Sequence, residues 1–246
     1  MARYELLNNV AHKDLRVLTR FGPEFGDDVG LVAAFPTEFA ELQREYPIFF
    51  RRDPGEGGWQ AVALLGFDAR ENLFLQGQHW NASYLPGLIA KGPFLIGFQE
   101  QRVEGEVRRE PVIHVDLDHP RVSFSEGEPV FLPQGGMTPY LDHISSVLRG
   151  IRDGVEAGRA MYAAFDALGL IQPLDVELQL DVRHRVSLAG LHGIDRERLG
   201  GLGAAELEGL HRAGYLEGAF LVQASMHNLR RLMAEKQRRL RLAEAA

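Results

Sequence analysis

The chain contains no cysteine. That excludes disulfides, thiolate zinc sites, iron–sulfur clusters and a cysteine nucleophile. A bound metal would have to be held by His, Asp or Glu. Long apolar runs are missing too: nothing approaches the roughly 20 residues of a membrane-spanning helix, and stretches such as Phe94 to Phe98 are strand-sized. The first nine residues lack the apolar run of a secretory signal, so a cytoplasmic location is expected. Excess positive charge is also lacking. The formal net charge is −7, and the body of the chain is acidic, because six basic residues (Arg230, Arg231, Lys236, Arg238, Arg239, Arg241) gather near one end against Glu235. An acidic body is a poor nucleic-acid binder, since phosphate neutralisation supplies most of that affinity. Ser125 and Ser187 have no nucleophile-elbow context.

What is present suits a soluble globular protein: 246 residues, 45% hydrophobic and 25% charged. Residues 15 to 135 read as short strands over 15–18, 29–35, 48–52, 60–67, 73–75, 94–98, 112–117 and 130–132, many of them β-branched or aromatic. Asp53-Pro54-Gly55-Glu56-Gly57-Gly58 is a loop. Short helices are predicted over 37–45, capped by Thr37, and over 84–91, with Pro86 near the start. From Pro139 the pattern turns helical: 141–150, 157–168, 204–213 stopped by Gly214, and a long helix over 216–242. In that last helix Val222, Met226, Leu229 and Met233 share one face. Segments 176–180 and 186–191 flank a hairpin turn. The expectation is an α+β protein, with a β-rich part over 1–138 (a curved sheet or barrel-like) packed with a mainly helical part over 139–246, the two forming one cooperative unit.

Several constellations could carry chemistry. In Pro111-Val112-Ile113-His114-Val115-Asp116-Leu117-Asp118-His119, strand alternation puts His114, Asp116 and Asp118 on one face. His114 and Asp116 would be two ligands of a non-haem Fe(II) triad, with His143, His184 or His192 as the third. The competing reading is a half-exposed strand with a polar outer face. Before the first predicted strand, Asn9, His12, Lys13, Asp14 and Arg16 combine amide, imidazole, ammonium, carboxylate and guanidinium groups. They could bind an anionic or peptide group, or only form a turn in which Asp14 pairs with Arg16 or caps backbone donors. Trp80 and Tyr84 form an aromatic cluster suited either to partner contact or to the core. Gly135-Gly136-Met137-Thr138-Pro139 could cradle an anion, or be a loop leading to an N-terminal helix proline. The basic terminal segment reads as a solvated helix end or as a protein contact.

Ordered signatures run through the chain. They are Asn8-Asn9-Val10-Ala11-His12-Lys13-Asp14-Leu15-Arg16-Val17, Phe35-Pro36-Thr37-Glu38-Phe39, Tyr46-Pro47-Ile48-Phe49-Phe50, Ala63-Leu64-Leu65-Gly66-Phe67, Glu71-Asn72-Leu73-Phe74-Leu75, Tyr84-Leu85-Pro86, Gly92-Pro93-Phe94-Leu95-Ile96-Gly97-Phe98 and Gly135-Gly136-Met137-Thr138-Pro139. Together they resemble the bacterial SapC family over nearly the whole chain. The resemblance implies an association with bacterial surface layers, and gene neighbourhoods holding flavin-dependent tryptophan halogenases, cupin-like oxygenases and outer-membrane receptors. Two functional expectations follow. One is a cytoplasmic binding or accessory protein without a cofactor, recognising a peptide or protein through Asn9, His12, Asp14, Arg16, Trp80 and Tyr84. The other is an Fe(II)-dependent oxygenase using His114 and Asp116.

Overall fold

The computed structural model describes residues 2–53, 55, 57–103, 106–174, 177–181 and 184–245, with side chains for all of these except 100–103 and 106–109. Pro54 and Glu56 of the expected loop, and Val176 and residues 182–183 of the expected hairpin, lie outside the described residues. The protein is mixed α+β. Its residues divide into two compact units, Met1–Asp27 with Gly77–His79 and Gly87–Arg152, and Asp28–Gln76 with Trp80–Pro86 and Asp153–Ala246.

In the first unit an antiparallel sheet has the order Tyr4–Leu6, Glu106–Asp116, Phe94–Val103. Val115 pairs with Glu5 and Phe94, while His114 pairs with Leu6 and Leu95. Directly paired residues share a side of the sheet. Val115 and Phe94, both fully buried, therefore face the core. His114 and Asp116 stand on the other side with Tyr4 and Leu6, which are exposed. A second small sheet, ordered Val122–Ser123, Arg16–Val17, Glu128–Pro129, adds Val17 to the core. Leu15, Val17, Phe94, Val115 and Val130 are closed over by Leu141, Ile144 and Leu148 of the helix Pro139–Ala167.

The second unit is built on a five-stranded antiparallel sheet, ordered Ile171–Pro173, His192–Ile194, Ile48–Arg52, Trp59–Leu64, Leu31–Ala33. Its central strands are near-continuous apolar runs. Ile48, Phe49, Phe50, Ala61, Val62 and Ala63 are fully buried, as in a sheet covered on both faces. Glu177–Gln179 and Arg185–Ser187 form the expected hairpin pair. Helices Arg196–Gly200, Ala204–Arg212, Tyr215–Ser225 and Leu229–Glu244 follow.

Some details differ from expectation: Thr37 lies inside a 3-10 turn instead of capping a helix, and the helix expected over 84–91 is Gly87–Ala90. Among the described residues no sheet closes into a barrel. The predicted helices 141–150 and 157–168 are one helix, and Gly154 between them serves packing: a Cβ there would stand 2.5 Å from Phe35 Cβ and 2.6 Å from Thr37 Oγ1. The terminal helix is interrupted by a 3-10 turn, Met226–Asn228. There, buried Ser225 accepts from the backbone N–H of Ile48 at 2.9 Å, and Asn228 donates to the carbonyls of Gln43 and Tyr46 at 2.8 and 3.3 Å. Those contacts outweigh helical continuity.

Candidate functional site

Several of the signatures meet in the second unit. Glu38 ends a 3-10 turn, Pro36–Glu38, and is 7% exposed. Its Oε1 accepts from Phe35 N–H at 3.1 Å and its Oε2 from the Tyr84 hydroxyl at 2.8 Å. The fully buried Tyr46 accepts from Trp80 Nε1–H at 2.7 Å and donates to the Tyr84 carbonyl at 2.5 Å. The Trp80 ring lies nearly parallel to Phe74, with centroids 6.1 Å apart, and Phe74 is 4.5 Å from Tyr46. Glu45 Oε2 accepts the N–H groups of Ser83 and Tyr84 at 2.7 and 3.1 Å, and Glu45 Oε1 stands 3.4 Å from Arg231.

Burial, then the charge of Glu38 and the hydrogen bond to it, push the Tyr84 hydroxyl above the ordinary tyrosine range. Burial pushes Tyr46 up as well, against the opposing hydrogen bond from Trp80. Both remain protonated donors at neutral pH. The network can fix positions and offer hydrogen bonds, but supplies no tyrosinate base.

A cavity of about 280 Å³ shares Phe74 and Arg231 with this network. Leu73, Phe74, Leu232 and Ala234 give it apolar walls, and Arg231, Glu235, Arg238 and Asn81 complete the lining. Arg231 donates to the Asn81 carbonyl at 3.1 Å. Arg238 binds Glu235 through two bonds of 2.8 Å, which hold the Glu235 carboxyl below its usual range. Two further cations of the basic helix tie it down, while its last residues, 241–245, are exposed. Lys236 reaches Asp68 and Glu71 at 2.9 and 2.6 Å; burial acts to lower its ammonium pKa, and these bonds together with the two negative charges more than offset it. Arg239 donates to the carbonyls of Asn72, Leu73 and Leu75 at 3.2, 2.9 and 2.8 Å.

Trp80 and Tyr84 are thus brought together. The other expected partner-binding residues belong to the first unit, where most of them tie backbone. Asn9 Nδ2 donates to the Gly135 carbonyl at 2.8 Å and Arg16 to the Gly127 carbonyl at 2.9 Å. Asn8 Oδ1 accepts from Val10 and Ala11 N–H, closing a turn. His12, 3% exposed, accepts from Asn8 N–H at 3.2 Å, and its Nε2 stands 3.4 Å from Glu5 without hydrogen-bond geometry. Asp14 lies 3.9 Å from Lys13, both exposed, and not on Arg16 as expected. Thr138 caps the long helix: its Oγ1 accepts from Leu141 N–H at 3.3 Å and donates to the carbonyls of Pro129 and Val130.

His114 and Asp116 do share a face. The His114 ring lies over Gly97, where a Cβ would come within 2.3 Å of it, and its Nδ1 is buried without a partner. Asp116 Oδ1 accepts from the N–H groups of Arg3 and Asp118, both at 3.1 Å. His184 is bound to Asp181 at 2.8 Å, and His192 packs against Trp59. Among the described residues no three His, Asp or Glu side chains are grouped so that they could hold a metal ion, and no helix is long and apolar enough to cross a membrane.

Tyr46 and Glu38 were not singled out by sequence, and Arg231 was named only as one of the six cations of the basic segment. The first two stand inside quoted signatures, which was the available signal. Fold and site define an α+β protein with a buried tyrosine–carboxylate network beside a basic pocket. A SapC family model matches residues 7–232, and the chain belongs to the SapC family. The comparison with curated proteins and the comparison with solved structures each return no match.

Proposed function

We propose that this SapC family member is a binding or accessory protein that recognises a peptide or protein partner at the pocket beside Phe74 and Trp80. The observation that carries this reading is the pairing of two guanidinium groups, Arg231 and Arg238, with an apolar lining of Leu73, Phe74 and Leu232 in a cavity of about 280 Å³. An apolar lining takes a side chain by burial, and a guanidinium takes a carboxylate in a fixed planar geometry. Arg231 is pre-positioned by Asn81 and Glu45, whereas Arg238 is held by Glu235. An incoming carboxylate would exchange with Glu235 for Arg238. The site therefore suits an acidic segment carrying an apolar side chain, with salt-sensitive affinity. Asn9 and Arg16 have no part in this reading, because their side chains bind backbone carbonyls. The cytoplasmic setting is part of the same proposal, and so is the bacterial surface-layer link, which the family resemblance alone supports.

The test is a photo-crosslinking amino acid at Ala234, in the pocket, against a control at the exposed Ala213. In the native host the Ala234 position should form a light-dependent adduct with an acidic polypeptide, and Arg238→Glu should abolish it. An Ala234 signal equal to the control, or one indifferent to the charge reversal, would sink the proposal.

A further inference from the structure

The second unit holds another cavity, of about 140 Å³, whose lining includes Phe35, Trp59, Gly158, Arg159 and Tyr162. Two polar groups of that lining have no hydrogen-bond partner, the indole Nε1 of Trp59 and the hydroxyl of Tyr162. Tyr162 is 6% exposed. Its hydroxyl lies beside Gly158, where an added Cβ would stand 3.2 Å from the oxygen and 3.0 Å from ring atom Cε2. A side chain at 158 would crowd that oxygen, and glycine leaves room beside it. Trp59 is fixed by its neighbours: the Arg52 guanidinium lies 3.8 Å from its ring centroid, and His192 meets it edge-on at 4.6 Å.

Both groups act as donors. An indole N–H can only donate. Burial and the negative charge of Glu38 push the Tyr162 hydroxyl upward, so it keeps its proton. Buried donors without an acceptor are uncommon in folded proteins, and two around one cavity call for an acceptor from outside the chain. The acceptor's charge follows from the surroundings. Glu38 acts on Tyr162, Asp53 and Arg159 both line the cavity, and the Arg52 guanidinium lies on the Trp59 ring, so the charges around the two donors balance. A second anion gains little there, whereas a neutral oxygen is not repelled. Ala34, Phe35 and Val155 supply apolar wall.

We infer that this cavity binds a small neutral carbonyl group, an amide or close analogue on a short alkyl body, through Trp59 and Tyr162. The site is independent of the pocket beside Trp80. An amide could arrive as a free small molecule or as the side chain of a peptide glutamine, and the experiment separates the two.

The full chain is labelled with nitrogen-15 and titrated while the two indole N–H resonances are followed. Trp80 is an internal control, because its N–H is already given to Tyr46 at 2.7 Å. Isobutyramide should move the Trp59 resonance saturably and leave Trp80 in place. Isobutyrate, of the same shape but charged, should bind about tenfold more weakly. Acetyl-Ala-Gln-Ala-amide is the second arm. Binding at least as tight as isobutyramide assigns the amide to a peptide, and weaker binding assigns it to a free molecule. Tyr162→Phe removes only an unpartnered oxygen, so the fold should persist while amide affinity falls about five- to tenfold. The inference is overturned if neither amide moves Trp59, if Trp80 shifts in parallel, if isobutyrate binds as well as isobutyramide, or if Tyr162→Phe titrates like the parent.

Discussion

The two units enclose polar groups in contrasting ways. In the first, Arg121 is 5% exposed and Asp27 4%. Arg121 Nη2 donates to Asp27 at 2.6 Å, and Nη1 to the carbonyls of Leu18 and Arg20 at 3.0 and 2.5 Å. The rings of Phe25 and Phe21 stand 4.6 and 5.3 Å from the guanidinium carbon. A full charge pair is sealed in, and its bonds converge on the loop 18–27. In the second, the enclosed groups are neutral hydroxyls and an indole around one carboxylate, Glu38. A sealed ion pair is costly to desolvate and more costly to break, because either partner left alone is an uncompensated charge. A neutral hydroxyl of the second network can be lost at lower cost. The first arrangement locks a loop in one state, and the second can support a binding wall that tolerates adjustment.

The comparison can be broken at several points, taken from the largest expected effect downwards. Ending the chain at Gly135 removes Leu141, Ile144 and Leu148 from the first unit's core. Each such loss costs about 2–5 kcal/mol, together comparable to the whole stability of a typical domain, about 5–15 kcal/mol. The shortened chain should be molten or insoluble, and the intact chain should show a single calorimetric transition. A sharp cooperative melt of the shortened chain would show that the β-rich part stands alone.

Arg121→Met should come next, costing about 3–5 kcal/mol in urea denaturation, because Asp27 stays behind as a buried charge. Tyr84→Phe should cost less, about 1–3 kcal/mol, since it removes the hydroxyl that donates to Glu38. If Tyr84→Phe proves the more damaging, the contrast between the two units is wrong.

Alkali sharpens the same contrast. The folded pKa values of Tyr46, Tyr84 and Tyr162 are raised above the ordinary value near 10, and burial pushes Tyr140 up to about 12. The stability these groups contribute is complete below about pH 10 and is lost as pH climbs from there toward the folded values. Absorbance at 295 nm should show these four tyrosines ionising only together with unfolding, and Tyr84→Phe should lessen the alkaline loss. Tyrosinate appearing before tertiary structure is lost would contradict the network.

The smallest effect is expected at His114→Ala. Neither parent nor variant should bind Fe(II) saturably in an anaerobic titration, because no third ligand is found among the described residues. Saturable binding by the parent that disappears in the variant would restore the oxygenase reading.

Much of the α+β pattern was legible because short β-branched and aromatic runs announce themselves. Strand Ile48–Arg52 matches its expected bounds, and Gly214 ends a helix in the left-handed conformation, as its position suggested. The terminal helix was not legible. Its core-facing residues Val222, Ser225, Asn228 and Leu232 include two polar side chains whose partners lie about 180 residues away in the chain. A hydrophobic stripe drawn through Met226, Leu229 and Met233 passes beside them. The continuity of the Pro139–Ala167 helix was hidden for a related reason, since glycine reads as a break until Phe35 and Thr37 are seen pressed against it. At the site, Trp80 and Tyr84 could be named from composition, but Glu38 and Tyr46 are tied to them only by folding.

The long helix also has a consequence for synthesis. Residues 15 and 17 of the first core wait for 141, 144 and 148 before they are enclosed. At about 5–20 residues per second, the nascent chain spends on the order of ten seconds with those side chains uncovered. Protection by ribosome-associated chaperones should therefore govern its yield in the cell more than the final stability does.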